Sequence, residues 1–229
     1  MSTSEGKFDY QKSLKDVKSY PFIQKFLPVD RYIVRPCASL IVWAVFGTAV
    51  TPNQLTLISF FIAVAAALVY LGATHGFFAL AGVLAMLSTI FDAADGQLAR
   101  AKAITSRYGA YLDLFLDRIA DFVVLLGASF GYFRYTRSVP FLIFGLLTIG
   151  LYFLQLSLYY INILYTRSDK TGEGAEAKSL AAFLILILSL IGRPDGILLG
   201  VFLMAFPGTI IKLVRFFRKG GKPAAVPAG

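Results

Sequence analysis

Long apolar runs separated by short polar loops occupy most of the sequence after residue 50. A helix needs about 20 apolar residues to cross the hydrocarbon core of a bilayer, and several of these runs approach or exceed that length. Only 15% of the residues are charged while 57% are hydrophobic, which argues against a soluble domain. The sequence predicts an all-α polytopic membrane protein with six transmembrane helices, over residues 53–72, 76–99, 108–133, 139–165, 177–191 and 196–216.

A shorter apolar stretch, residues 30–49, precedes the first of these spans. Arg35 and Pro36 interrupt it, so the remaining part is too short to cross a bilayer. We therefore expect an amphipathic helix lying along the membrane surface, with Arg31 and Arg35 toward the headgroups and Trp43 at the boundary. A full membrane span over this stretch is the alternative.

These patterns divide the chain into four regions. The first span begins at Thr51-Pro52-Asn53, because proline suits the first helical turn and a polar neighbour can bond the free N–H groups there. The predicted regions are a cytosolic N-terminal tail (1–29), the interfacial helix (30–50), a six-helix membrane domain (51–217) and a disordered basic C-terminal tail (218–229).

The net charge of +9 arises mainly from cations in the loops and tails beside the apolar runs. Most of the 22 Lys and Arg residues fall in the two tails, the second-to-third loop and the fourth-to-fifth loop. By the positive-inside rule both termini are cytosolic, whereas Arg134, Arg137 and Arg193 lie outside. This placement suits anionic lipid headgroups and argues against a nucleic-acid partner.

Four aspartates at the ends of the second and third spans are unusual in such an apolar chain. Asp92 and Asp95 are three residues apart, and Asp113 and Asp117 are four apart, so each pair shares one helix face. A short cytosolic loop joins the two helices and makes them antiparallel. Both pairs of aspartates lie near the helix ends at this loop, so they can converge. A divalent cation would remove the repulsion between them, and oxygen ligands favour Mg²⁺, Mn²⁺ or Ca²⁺ over Zn²⁺.

Small residues leave open space beside these aspartates. Gly96 and Ala99 fall on nearly the same helix face as the first pair, and Gly109 lies one turn before the second pair. Arg100 at the edge of this groove can bind phosphate bidentately. Metal, arginine and open backbone together indicate phosphoryl transfer, with Asp117 as the candidate general base. Contacts between helices would explain any one of these residues, but not the whole set at these spacings.

The spacing of these residues resembles the signature of the CDP-alcohol phosphotransferase family at every fixed position. The resemblance covers most of residues 30–217 and extends to six spans preceded by an interfacial helix. It implies an enzyme that displaces CMP from a CDP-linked alcohol with a second alcohol, forming a phosphodiester. The fixed positions are Asp92-x-x-Asp95-Gly96-x-x-Ala99-Arg100 and Gly109-x-x-x-Asp113-x-x-x-Asp117.

The resemblance also implies roles for individual residues. The four aspartates would bind divalent metal, Mg²⁺ or Mn²⁺, and Asp117 would in addition act as general base. The cytidine diphosphate would be bound by Gly96, Ala99, Arg100 and Gly109, with Asn53 near the nucleotide. The family further implies a homodimer.

The segment around Asp113, GAYLDLFLDRIAD, resembles members that handle inositol phosphates, such as phosphatidylinositol-phosphate synthases and di-myo-inositol-phosphate-phosphate synthases. Arg118 and the Tyr165-x-Arg167 segment resemble the basic positions that bind the acceptor phosphate in those enzymes. Lys170 and Lys178 are further candidates for binding this phosphate. The alternative is that these cations bind no substrate and are ordinary loop residues that follow the positive-inside rule. A basic motif at Gly192-Arg193-Pro194-Asp195 falls outside by the same topology, so it is left out of the site.

A groove open to the bilayer would admit acyl chains, which favours CDP-diacylglycerol as the donor. A soluble CDP-polyol donor would use the same motif, and glycerol phosphate, serine or another polyol remain alternative acceptors. The main alternative to an enzyme is a cation or proton transporter. It would place acidic residues at the bilayer midplane and would leave the spaced Gly and Arg positions unexplained.

Overall fold

The computed structural model describes residues 29–166 and 172–219, and every regular element in these ranges is helical. A π-helical turn, Asp30–Val34, leads directly into a short first helix. The predicted all-α fold is confirmed for this part of the chain. The helices are α1 (Arg35–Val45), α2 (Pro52–Tyr70), α3 (His75–Ala101), α4 (Arg107–Thr136), α5 (Val139–Thr166), α6 (Gly172–Leu190) and α7 (Pro194–Lys219).

Four helices in the described residues are long and apolar enough to cross a membrane. They are α2, α3, the segment Val139–Leu158 of α5 and the segment Pro194–Ile211 of α7. These helices identify the chain as an integral membrane protein. The predicted third span corresponds to α4, which carries several charged side chains, and the apolar part of α6, Lys178–Leu190, is shorter. Six membrane crossings therefore remain a prediction.

Helix starts are fixed by side chains that satisfy free backbone N–H groups. At α2 the Thr51 hydroxyl accepts from the Gln54 N–H at 3.4 Å, and the Gln54 side chain accepts from the Thr51 N–H at 2.9 Å. This reciprocal capping, with Pro52 in the first turn, confirms the helix start predicted there. At α4 the Ser106 hydroxyl accepts from the Gly109 N–H at 2.9 Å, so α4 begins shortly after α3 ends.

The central packing joins α2 to α3 and α4. Gly127 and Gly131, one turn apart on α4, face the backbone of α2. A Cβ atom would lie 2.6 Å from the Ala67 carbonyl oxygen at Gly127 and 2.3 Å from the Tyr70 carbonyl oxygen at Gly131. Small residues let membrane helices approach closely, and here they hold α4 directly against α2.

The α1 helix packs one face against the bundle and leaves another exposed. Ala38 and Val42 are buried beside Leu98 of α3, whereas Leu40 and Trp43 are exposed. This apolar outer face agrees with a helix that lies along a membrane surface. Arg31 is exposed, as expected for a residue facing headgroups.

Arg35 departs from the prediction made for it. Its side chain does not follow Arg31 toward the outer surface but pairs with buried Asp30, and it lines an internal cavity. The π-helical turn and the start of α1 bring these two side chains together, which the pattern of charges along the sequence did not indicate.

Candidate active site

Three of the four predicted carboxylates converge where α3 ends and α4 begins. Asp92, Asp95 and Asp113 each offer one oxygen, and these three oxygens lie within 4.8 Å of one another. The three-residue spacing on α3 and the short connection to α4 produce this convergence, as the sequence predicted. Three carboxylates this close repel one another, and an all-oxygen set of this kind can hold a hard divalent cation.

A second helix orients one of these carboxylates. Asp95 is buried, and its Oδ2 accepts a hydrogen bond of 2.5 Å from the Thr56 hydroxyl of α2. Groups that hold a metal ligand in this way fix its orientation and tune its affinity for the ion. Thr56 was not predicted, because a threonine in an apolar span carries no signal of its own until the neighbouring helix is known.

Asp117, the fourth carboxylate, lies against two cations instead of joining the other three. Its Oδ1 accepts from the Lys178 ammonium group, and its Oδ2 is 2.8 Å from Arg118 Nη2. Lys178 Nζ is also 2.7 Å from Asp92 Oδ2, so one ammonium group bridges Asp92 and Asp117. The two cations stabilise the ionised form of Asp117, and the lysine offsets part of the repulsion within the cluster.

The sequence indicated Lys178 only as a further candidate for binding the acceptor phosphate, yet this residue lies at the centre of the site. It is the first residue of the apolar part of α6, whose packing against α3 brings the ammonium group to Asp92. A single lysine at the start of an apolar run was the available signal. Ordinary loop lysines also stand beside apolar runs, so the sequence did not distinguish Lys178 from them.

Arg118 connects Asp117 to a second acidic residue. Its Nη1 atom lies 3.0 Å from Asp121 Oδ2, and the same oxygen accepts from the Tyr152 hydroxyl of α5 at 2.8 Å. Arg118 was predicted at the acceptor phosphate, and the structure places it between two carboxylates at the edge of the site. Arg167, the other predicted acceptor residue, lies outside the described residues.

A cavity of about 240 Å³ opens beside the carboxylates. Its wall includes the three converging aspartates, Gly96, Arg100 and Lys178. A water molecule occupies about 30 Å³ of liquid, so the cavity has room for groups of phosphate size. An anion in this cavity would contact the cations of its wall. When a divalent ion is bound, the anion would contact that ion as well.

The residues predicted to bind the nucleotide surround this cavity in part. The nearest atom to a Cβ at Gly96 would be Arg100 Nη1 at 3.4 Å, so Gly96 lies directly beside the guanidinium of Arg100. A Cβ at Gly109 would lie 3.1 Å from Asn53 Oδ1, so the starts of α2 and α4 adjoin. Ala99 is half-buried and is not among the residues that line the cavity.

Gly192 and Arg193 lie at the opposite end of α3. A Cβ atom at Gly192 would lie 1.9 Å from His75 Nδ1, which places the α6–α7 turn beside the first residue of α3. His75 is about 25 Å from Asp92 along the helix at 1.5 Å per residue. This separation agrees with leaving Arg193 out of the predicted site.

Comparison with known proteins adds two findings. Residues 49–211 match the family model described as CDP-alcohol phosphatidyltransferase. The archaetidylinositol phosphate synthase of Pyrococcus horikoshii is 30% identical over 175 residues, which cover 73% of this chain and 82% of that protein. The matched region of the family model contains all four aspartates.

Two further relatives match over shorter regions. The phosphatidylinositol phosphate synthase of Corynebacterium glutamicum is 38% identical over 108 residues, covering 47% of this chain and 46% of that protein. The bifunctional IPC transferase and DIPP synthase of Archaeoglobus fulgidus is 38% identical over 117 residues, covering 51% of this chain and 23% of that protein. The matched region thus spans less than half the length of these two relatives.

Replacement of Thr56 tests how the carboxylate cluster is held. Thr56→Val removes the 2.5 Å hydrogen bond to Asp95 while keeping the side-chain volume. We expect Mn²⁺ to bind about tenfold more weakly, since residues that orient metal ligands have effects of that size. Electron paramagnetic resonance of free Mn²⁺ during titration of the purified protein measures the change.

Thr148→Val is the matched control, because the Thr148 hydroxyl is buried and, within the described part of the chain, bonds the Phe144 carbonyl of its own helix at 2.8 Å. Equal Mn²⁺ affinity in the wild type and Thr56→Val would contradict the role given to Thr56.

Proposed function

Because the chain belongs to the CDP-alcohol phosphatidyltransferase family, we propose that it transfers a phosphatidyl-type group from a CDP-linked lipid to an inositol phosphate, with release of CMP. The observation that carries this proposal is the convergence of Asp92, Asp95 and Asp113 within 4.8 Å, next to a cavity that Arg100 and Lys178 line. The names of the relatives support the acceptor, since archaetidylinositol phosphate and phosphatidylinositol phosphate share an inositol phosphate group.

The metal that we propose is Mg²⁺ or Mn²⁺. The donor set fits these ions, because Asp92, Asp95 and Asp113 supply only carboxylate oxygens and lie close enough to share one ion. Asp117, which Lys178 joins to Asp92, would be the fourth member of the proposed ligand set. When bound, the ion supplies positive charge to the diphosphate and to the departing CMP.

The reaction that we propose is a direct displacement at phosphorus. The acceptor hydroxyl oxygen forms a bond to the β-phosphorus of the CDP-linked donor. The bond from that phosphorus to the oxygen bridging it to the α-phosphate breaks, and CMP leaves with the bonding electrons. The hydroxyl proton passes to the Asp117 carboxylate, the proposed general base.

The cytidine diphosphate would lie along the ends of α3 and α4. Arg100 can bind phosphate in two-point fashion, and Gly96 lies beside its guanidinium group. Asn53 and Gly109 adjoin at the starts of α2 and α4, where they would face the nucleotide together. Ala99 completes the proposed set as a small residue on the same helix.

The acceptor phosphate would be bound by basic residues. Arg118 and Arg167 are the residues that we propose, and Lys178 lies between Asp92 and Asp117 within reach of the same region. The donor would reach the site from the bilayer, so CDP-diacylglycerol or a similar CDP-linked lipid is proposed over a soluble CDP-polyol.

We also propose a topology of six transmembrane helices, with α1 along the membrane surface and with both termini and the site in the cytosol. The distribution of Lys and Arg supports this orientation. It gives the site access to soluble inositol phosphates and Mg²⁺. A homodimer is proposed from the family resemblance.

A CMP-release assay with a matrix of donors and acceptors tests the proposed function. Purified protein in liposomes with Mg²⁺ or Mn²⁺ is given CDP-diacylglycerol or a soluble CDP-polyol, each with an inositol phosphate, glycerol phosphate or serine. We expect CMP release with the lipid donor and the inositol phosphate, and its loss when the divalent ion is chelated. CMP release with another pair and none with this one would contradict the assignment.

Replacement of the proposed base is the second test of the mechanism. Asp117→Asn keeps the shape of the side chain but removes the proton acceptor and the charge paired with Lys178 and Arg118. We expect kcat for CMP release to fall by about 10²–10⁴, the range for loss of a general base. Measurement under saturating donor and acceptor separates this effect from weaker binding.

Asp195→Asn is the control, since Asp195 pairs with Arg193 at the opposite end of the bundle. Its kcat should stay close to that of the wild type. Wild-type kcat in a folded Asp117→Asn protein would overturn the assignment of the base.

A further inference from the structure

The cavity wall contains a cation that comes from outside the two helices carrying the aspartates. Arg35, the first residue of α1, lines the same cavity as Asp92, Asp95 and Asp113. Its side chain is 23% exposed, whereas the sequence predicted that it faces the headgroups. We propose that Arg35 is a substrate-binding residue of the active site that binds the diphosphate of the CDP-linked donor. This inference rests on the CDP-linked donor of the proposed function.

The side chain of Arg35 is held in a fixed orientation by a buried acid. Its Nε lies 2.5 Å from Asp30 Oδ2, and Asp30 is only 5% exposed. The other oxygen of Asp30 accepts from the Ser179 hydroxyl at 2.9 Å, next to Lys178 on α6. The pair with Asp30 engages Nε, so the outer edge of the guanidinium, with Nη1 and Nη2, lies outside that pair. This edge carries the donors that bind phosphate in two-point fashion.

The backbone of Arg35 is fixed to α3 as well. Its carbonyl oxygen accepts from Gln97 Nε2 at 3.4 Å, while Gln97 Oε1 accepts from the Ser39 hydroxyl at 2.9 Å. Gln97 directly follows Gly96, which lines the cavity. Arg35 is therefore fixed in the wall of a cavity that Gly96 and Arg100, proposed to adjoin the diphosphate, also line.

The charges of the cavity indicate the chemistry of its ligand. Three cations, Arg35, Arg100 and Lys178, line it together with the carboxylates proposed to hold a divalent ion. With the ion bound, a polyanion would bridge the metal and the arginines. A structural link between α1 and α6 does not require an arginine facing a cavity, because the Asp30–Ser179 bond and the apolar packing of α1 already join these segments. A charged pair is also costly to bury when it serves only as a link.

Binding of CDP to purified protein in detergent, with Mn²⁺ present, tests this inference by isothermal titration calorimetry. Arg35→Gln removes the charge, and we expect the Kd for CDP to rise about tenfold, as for loss of a hydrogen-bonded charged contact. Arg35→Lys keeps the charge but cannot reproduce the planar guanidinium, so an intermediate Kd is expected. Asp30→Asn, as a variant of a positioning residue, should also raise the Kd for CDP.

Arg31→Gln is the matched control: Arg31 lies on the same segment, is exposed and stacks over the Tyr32 ring at 5.7 Å. Its Kd for CDP should stay within about twofold of the wild type, because Arg31 is exposed and is not among the residues that line the cavity. Unchanged CDP affinity in folded Arg35→Gln would overturn the inference. If Arg35→Gln does not fold, Arg35→Lys decides it in the same way. A wild-type protein that binds no CDP would instead overturn the donor of the proposed function.

Discussion

The ammonium group of Lys178 bonds both Asp92 and Asp117 at the end of the bundle where Asp92, Asp95 and Asp113 converge. Carboxylates crowded into an apolar helix bundle destabilise it unless positive charge compensates them. In this structure the compensation comes from Lys178 and Arg118, and during catalysis a divalent ion is proposed to share that role.

Helix capping and close helix packing hold these charged groups in place. Capping by Thr51 and Ser106 fixes where α2 and α4 begin. Gly127 and Gly131 let α4 lie against the backbone of α2, and α2 in turn supplies the Thr56 hydroxyl to Asp95. The precision of the acidic cluster thus depends on close packing that extends well into the membrane-spanning part of the bundle.

Local spacing was enough to predict the helices and the convergence of Asp92, Asp95 and Asp113, because residues three or four apart share a helix face and a short loop joins the two helices. Contacts between distant segments were not predictable in this way. Lys178 reaches Asp92 only because α6 packs on α3, and Arg35 turns inward only because the π-helical turn presents Asp30 to it. A single sequence contains no signal for such pairings, so Arg35 looked like a headgroup contact.

Anomalous X-ray diffraction from crystals of the wild-type protein grown with Mn²⁺ tests the central claim, that the aspartates form one divalent-metal site. We expect an anomalous peak coordinated by oxygens of Asp92, Asp95 and Asp113, with Lys178 displaced from its bridge between Asp92 and Asp117. Mn²⁺ bound elsewhere, with the lysine bridge intact and no peak among these three carboxylates, would contradict it.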